Sequence, residues 1–169
     1  AVSNGAFTYG GIYPDGSFVV SATHYRTWTN KPSRLFDTQT GANIPTPSWD
    51  NAVNHGGTTA FSPDGKFIAF NHEDTGQGHT LAVMNYDHAS NTFSNLTDIA
   101  NNSQYTLAWP AFTPDSKWVV FHAGSNAAFE TDGGAVGDLF GVDLATHTAV
   151  RLDEADGYDN GQIYLPAND

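Results

Sequence analysis

Short apolar runs, each closed by a cluster of turn-forming residues, follow one another along the chain. In the middle of the sequence Thr58 to Ser62 leads into Pro63-Asp64-Gly65, and Lys66 to Asn71 follows, carrying Phe67, Ile68, Ala69 and Phe70. Proline presets φ for a turn, aspartate bonds nearby backbone amides, and glycine accepts positive φ. Apolar segments on either side of such a turn predict a β-hairpin. The nearly continuous apolar character of Lys66 to Asn71 predicts a strand covered on both faces. Leu81 to Tyr86 reads as a third strand, Asp87-His88-Ala89-Ser90-Asn91 as a turn, and Thr92 to Leu96 as an outer strand. No amphipathic helical stretch of useful length stands out.

The same pattern sits on either side. Ile12-Tyr13-Pro14-Asp15-Gly16 precedes a strand from Phe18 to Thr23, and Phe112-Thr113-Pro114-Asp115-Ser116 precedes one from Trp118 to His122. The prolines are 49 and then 51 residues apart. A second signal keeps step: Asp37, Asp87 and Asp143 each open the turn after the third strand (Arg34 to Phe36, Leu81 to Tyr86, Leu139 to Val142), and Thr148 to Leu152 closes the third repeat. Strand-and-turn repeats of this length are the signature of propeller blades. Ser-Pro-Asp-Gly-Lys before an apolar strand, then a strand ending in Asp-x-x-x-Gly, resembles the WD-like repeats of the TolB-type β-propeller family. The likeness covers nearly the whole chain. Tyr13 stands where that pattern has Ser or Thr, and Ser116 where it has Gly.

The expected fold is therefore all-β: a propeller segment of about three four-stranded antiparallel blades, spanning roughly 5–46, 56–98 and 107–153, with 154–169 opening a further blade. The resemblance implies a complete ring of about six or seven blades, inside the wider six-to-eight range that the repeat suggests. It implies little about chemistry, because such blades serve both as periplasmic binding modules and as gating domains attached to peptidases. Ala1 is not an initiator methionine and no apolar leader follows, so processing or excision at the ends is expected. Partners are accordingly the remaining blades of one protein or another copy of it.

Charge narrows the partners. Eighteen acidic against six basic residues give −12, which argues against nucleic acid and against anionic lipid. There is no cysteine, which excludes disulfides and zinc–thiolate sites. No apolar run reaches bilayer-spanning length, so membrane insertion is not expected. Few charges with abundant Asn, Thr, Ser, Gly and aromatics resemble exported bacterial β-proteins, pointing to the periplasm or the outside of the cell.

Loop length breaks the symmetry of the two ring faces. The Pro-Asp turns and the turns after the third strand are about three and five residues, and share one face. The other face carries the long connections, 24–33, 45–57, 72–80, 97–108 and 123–138. Long loops on a rigid scaffold are where binding residues gather. They hold His24, Tyr25, Arg26, Trp28, Trp49, Asp50, His55, His72, Glu73, Asp74, His79 and Tyr105, the candidate ligand- or partner-binding face. Trp28, Trp49 and Tyr105 suit sugar stacking or a protein partner, and equally packing. His72-Glu73-Asp74 with His79 offers imidazole and carboxylate ligands for a divalent metal. Asp132 with Asp138, and Asp153, Asp156 and Asp159, offer oxygen ligands on Gly-containing loops, which suit calcium, though solvated turns look the same. No other cofactor is expected.

No Gly-x-Ser-x-Gly motif appears, and the repeated turn aspartates read as turn-formers rather than acid–base pairs. No catalytic residue is assigned. The leading expectation is a non-catalytic binding or assembly module of an exported bacterial protein. A propeller part of a larger hydrolase or peptidase, with its catalytic residues elsewhere, and a metal-supported or carbohydrate-binding propeller are the alternatives.

Overall fold

At Pro14, Pro63 and Pro114 the chain turns back on itself, and each hairpin grows into a four-stranded antiparallel sheet with its strands in sequence order. These elements belong to a computed structural model that describes residues 8–22, 33–74, 78–125 and 137–152. The first sheet holds β1 (Thr8–Ile12), β2 (Phe18–Ala22), β3 (Leu35–Asp37) and β4 (Asn43–Ile44). After a short helix, α1 (Pro47–Ala52), comes the second: β5 (Gly56–Phe61), β6 (Phe67–His72), β7 (Thr80–Asp87) and β8 (Thr92–Asn101). The third is β9 (Thr106–Phe112), β10 (Trp118–Gly124), β11 (Gly137–Asp143) and β12 (Ala149–Arg151).

The repeated aspartates close the turns by accepting backbone N–H groups. Asp15 takes that of Ser17 at 2.8 Å, Asp64 that of Lys66 at 3.1 Å, and Asp115 that of Lys117 at 3.1 Å. In the other set Asp37 accepts from Gln39 and Thr40, Asp87 from Ala89, and Asp143 from Ala145 and Thr146. The third residue of each Pro-Asp turn is left-handed: Gly16 at φ 75°, Gly65 at 70°, and Ser116 at 58°. The repeat keeps the turn even where it has lost its glycine, at a strain of about 1–2 kcal/mol.

Alternation along the strands assigns side chains to the two faces of the middle blade. Ile68 and Phe70 of β6 and Ala82, Met84 and Tyr86 of β7 face blade 1, where they pack with Phe18, Val20 and Leu35. Ala69, Leu81 and Val83 face blade 3 and pack with Leu107, Val119, Phe121 and Val142. Both faces of the middle blade are dry, as its continuous apolar pattern requires.

The innermost strands of successive blades touch. The Gly11 N–H donates to Thr59 Oγ1 at 2.7 Å, and the Trp109 N–H to Thr58 Oγ1 at 3.2 Å. Each inner strand slips register once, between Tyr9 and Ile12, between Gly57 and Ala60, and opposite Val120 to His122. Thr58 (φ 46°) and Trp109 (φ 56°) sit at these bulges.

Two connections differ from expectation. The loop from 45 to 57 contains α1, started by Pro47 in its first turn, where a missing N–H costs nothing. The connection expected over 97–108 shrinks to 102–105, because two bulges let β8 stay paired with β7 as far as Asn101.

Candidate functional site

Among the described residues, the connections opposite the Pro-Asp turns are tied to their neighbours. The Glu73 N–H donates to the His55 carbonyl at 3.1 Å, the Asn102 N–H to the His79 carbonyl at 3.0 Å, and the Leu107 N–H to the Gly78 carbonyl at 2.8 Å. Ser33, fully buried, donates its hydroxyl to the Gly56 carbonyl at 2.9 Å. Asn71, also fully buried, spends its amide N–H groups on the carbonyls of Gly78 and Leu107. Each of these last two joins a blade to the inner strand of the next.

Three histidines complete the lattice. Carboxylate and carbonyl oxygens only accept, so each imidazole Nδ1–H is the donor. His55 donates to Asp74 at 2.8 Å, and the same carboxylate takes the backbone N–H of Asn54 at 2.7 Å and of His55 at 3.0 Å. His72 donates to Asp98 at 2.9 Å. His79 shares its proton between the carbonyls of Asn102 at 2.9 Å and Tyr105 at 2.8 Å. Every ring is thus oriented by a partner from a different connection or strand, as ring nitrogens are in positioned binding sites.

The candidate residues fall into distinct groups. His55, Asp74, His79 and Tyr105 share this face, and Tyr105 is 41% exposed. His72 and Glu73 are buried at the end of β6 and just beyond it, not displayed on a loop. Asp50 lies in α1, 3.7 Å from the Arg34 guanidinium. Trp49 must be corrected. The indole has no exposed area; it lies under α1, edge-on to Phe70 and Phe93 at 5.1 and 5.0 Å. Helix formation turns it inward, so it is core and cannot stack on a ligand. Among the described residues no three His, Asp or Glu side chains gather into a metal cage, since His55, Asp74, His72 and His79 are committed to one another or to other partners. Asp138 lies in β11 and pairs with Arg151 at 2.7 Å. His24, Tyr25, Arg26, Trp28, Asp132, Asp153, Asp156 and Asp159 lie outside the described residues.

Sequence reasoning missed Asp98, Asn54, Asn102, Ser33 and Asn71. Asp98 is 26 positions from the histidine it orients. Asn71 did leave a trace, as the polar residue ending an apolar strand.

The opposite face has another electrostatic character. Hydrogen bonds hold its six turn carboxylates below the usual range: from Ser17 to Asp15, from Thr40 to Asp37, from Ser90 and Ala89 to Asp87, from Thr113 and Lys117 to Asp115, and from Thr146 and Ala145 to Asp143. At Asp64 burial pushes the other way, but the Ser62 hydroxyl, the Lys66 N–H and the Lys66 charge together outweigh it. A depressed carboxylate stabilises the fold above its unfolded pKa, about 3.9, and that contribution is lost as pH falls through the folded value. The thermal midpoint is expected to hold from pH 6 to about 4.5 and to fall steeply below about 4. Calorimetry across that range checks it. A midpoint that already declines between pH 7 and 5 would place the acid-sensitive groups elsewhere.

No protein-family model matches the sequence, and no curated protein matches it. Solved structures do. A protein of Agrobacterium tumefaciens described as TolB superposes at TM-score 0.62 with 18% identity, over 88% of this chain and 50% of its own. TolB from Acinetobacter baumannii gives 0.54 with 20% identity, over 87% of this chain and 32% of its own. A prolyl endopeptidase gives 0.53 with 12% identity, over 85% and 21%. The chain thus spans half or less of the length of these relatives in fold. With three four-stranded antiparallel sheets side by side and such neighbours, it is part of a β-propeller. Among the described residues no helix is long and apolar enough to cross a membrane.

Proposed function

We propose that the chain is a binding and assembly module of propeller type, acting through the face of long connections, in a bacterial protein exported to the periplasm or beyond. One observation carries this reading: His55 and His79 each fix a connection of that face and His72 ties the end of β6 to β8, while the other face consists of tight aspartate-closed turns. A lattice of oriented imidazoles, carboxylates and an exposed tyrosine is preorganised for recognition. Protein or glycan is the favoured ligand class, given the charge of −12. The likeness to propellers in TolB proteins supports a module that works beside further blades. The prolyl endopeptidase likeness supports the second reading, a propeller attached to a catalytic domain, since the chain spans only 21% of that protein.

The test uses the labelled chain against an immobilised glycan panel and a periplasmic extract. His79→Ala with Tyr105→Ala alters the long-connection face, and His88→Ala the turn face. Binding lost in the first variant and kept in the second is expected. No binding at all, or binding indifferent to the first variant, would overturn the reading.

A further inference from the structure

Two of the three Pro-Asp turns depart from the repeat, and each departure gives up something local. In the generic turn the residue before proline carries a small hydroxyl that donates to the turn's own aspartate: Ser62 to Asp64 and Thr113 to Asp115, both at 2.6 Å. Tyr13 holds that place in blade 1, and a phenol is too long to fold back in this way. In the generic turn the third residue is glycine, which takes a left-handed φ without penalty. Ser116 takes it with a Cβ, at φ 58°.

What each gains lies on the middle blade. The Tyr13 ring stacks on His88 at 4.7 Å and stands edge-on to Phe61 and Tyr86 at 5.4 and 5.6 Å. It also covers Gly65, where a Cβ would lie 2.6 Å from the Tyr13 hydroxyl oxygen and 3.0 Å from the ring carbon that bears it. Ser116 is buried, and its hydroxyl accepts the Asp64 N–H at 3.3 Å. The middle turn is thus held from both sides at adjacent residues, Asp64 by blade 3 and Gly65 by blade 1.

We infer that Tyr13 and Ser116 are the residues by which these blades recognise their proper neighbours, so that the turn face carries the code for blade order. Blades with like hairpins are prone to mispair, a characteristic failure of repeat proteins. Discrimination needs an element that rejects as well as one that attracts. The contact of Tyr13 with glycine supplies both. Gly65 leaves the room that Tyr13 fills, whereas Ser116, on the same left-handed backbone, carries a Cβ where the phenol would lie. Blade 1 therefore fits against blade 2 and not against blade 3. Ser116 marks the other joint with a hydroxyl that the generic glycine lacks. No ligand enters this role, so it stands or falls apart from the binding face.

The test restores the generic repeat in the full chain. Gly65→Ala should unfold at least about 3 °C below Gly16→Ala, because only the first new Cβ meets a neighbour. In a Tyr13→Ser background the two glycine variants should level, the mark of a pairwise contact. Ser116→Gly relieves a left-handed serine, so a serine without a role there predicts a higher midpoint. The expected result is no rise, with exchange of the Asp64 amide about tenfold faster as its bond is lost. Refolding from urea then separates recognition from plain stability. The double variant Tyr13→Ser with Ser116→Gly should lose yield of native near-ultraviolet signal, while Gly16→Ala, which touches neither joint, keeps it. Additive glycine penalties, a stabilised Ser116→Gly, or a double variant that refolds as fully as Gly16→Ala would each overturn the assignment.

Discussion

Trp49→Ala is expected to lower the free energy of unfolding by about 3–5 kcal/mol, the range for deleting a large buried aromatic. That is a large share of the 5–15 kcal/mol typical of a domain. The residue sits at a crossing of three elements. Its ring meets Phe70 of β6 and Phe93 of β8 edge-on, and Val53, just past α1, lies in the same cluster. Gly56 makes the room, since a Cβ there would lie 3.2 Å from the indole. The Ser48 hydroxyl beside it accepts the Phe93 N–H at 2.9 Å, tying α1 to the outer strand of the next blade. Removing the indole therefore loosens both helix and blade joint. Trp49→Phe should cost less than about 1.5 kcal/mol, because the indole N–H is buried without a hydrogen bond and its loss strands no partner. Urea unfolding of the three proteins checks both values. If Trp49→Ala unfolds within about 1 kcal/mol of the parent, the core role is wrong.

The contrast with the expectation for Trp49 shows what a sequence of this kind carries. Turn chemistry is local: Pro14, Pro63 and Pro114 with their aspartates specify hairpins within five residues, and those hairpins are where the pattern put them. The dry faces of the middle blade were legible too, because Phe67 to Phe70 alternate between two cores rather than between core and water. The helix α1 was not. Six residues hold less than two helical turns, too short for a periodic signal, and the prolines around it read as loop. The histidine lattice was legible only in part. Loop length placed His55, Asp74 and His79 on one face, but their partners come from tertiary structure. The register of β6, β7 and β8 puts Asp98 in the row of Ala82 and Phe70, from which it reaches His72 two residues along β6, and two bulges shift that register in ways no local pattern announces.

Gly11→Ala is the second large effect, expected to destabilise by roughly 2–3 kcal/mol through overpacking. The inner strands of blades 1 and 2 approach closely at this residue. A Cβ on Gly11 would stand 2.9 Å from the Ala60 Cα, 3.0 Å from the Thr59 carbonyl oxygen and 3.1 Å from the Phe61 nitrogen. All three are backbone atoms of β5, so no rotamer change relieves the contact, and one inner strand must move. Movement would stretch the bond from the Gly11 N–H to Thr59 Oγ1, which lies where both strands slip register. Gly16 is the control. A Cβ there meets nothing within 4 Å, and its φ of 75° sets the whole cost of Gly16→Ala, about 1–2 kcal/mol. The two substitutions therefore separate steric from conformational strain on one hairpin. Thermal unfolding should rank Gly11→Ala well below Gly16→Ala, and with blade 1 loosened, hydrogen exchange should rise in β1 and β2 before it rises in β10. Equal midpoints for the two variants would mean that the inner strands lie farther apart than these distances, and the packing of blade 1 on blade 2 would need to be redrawn.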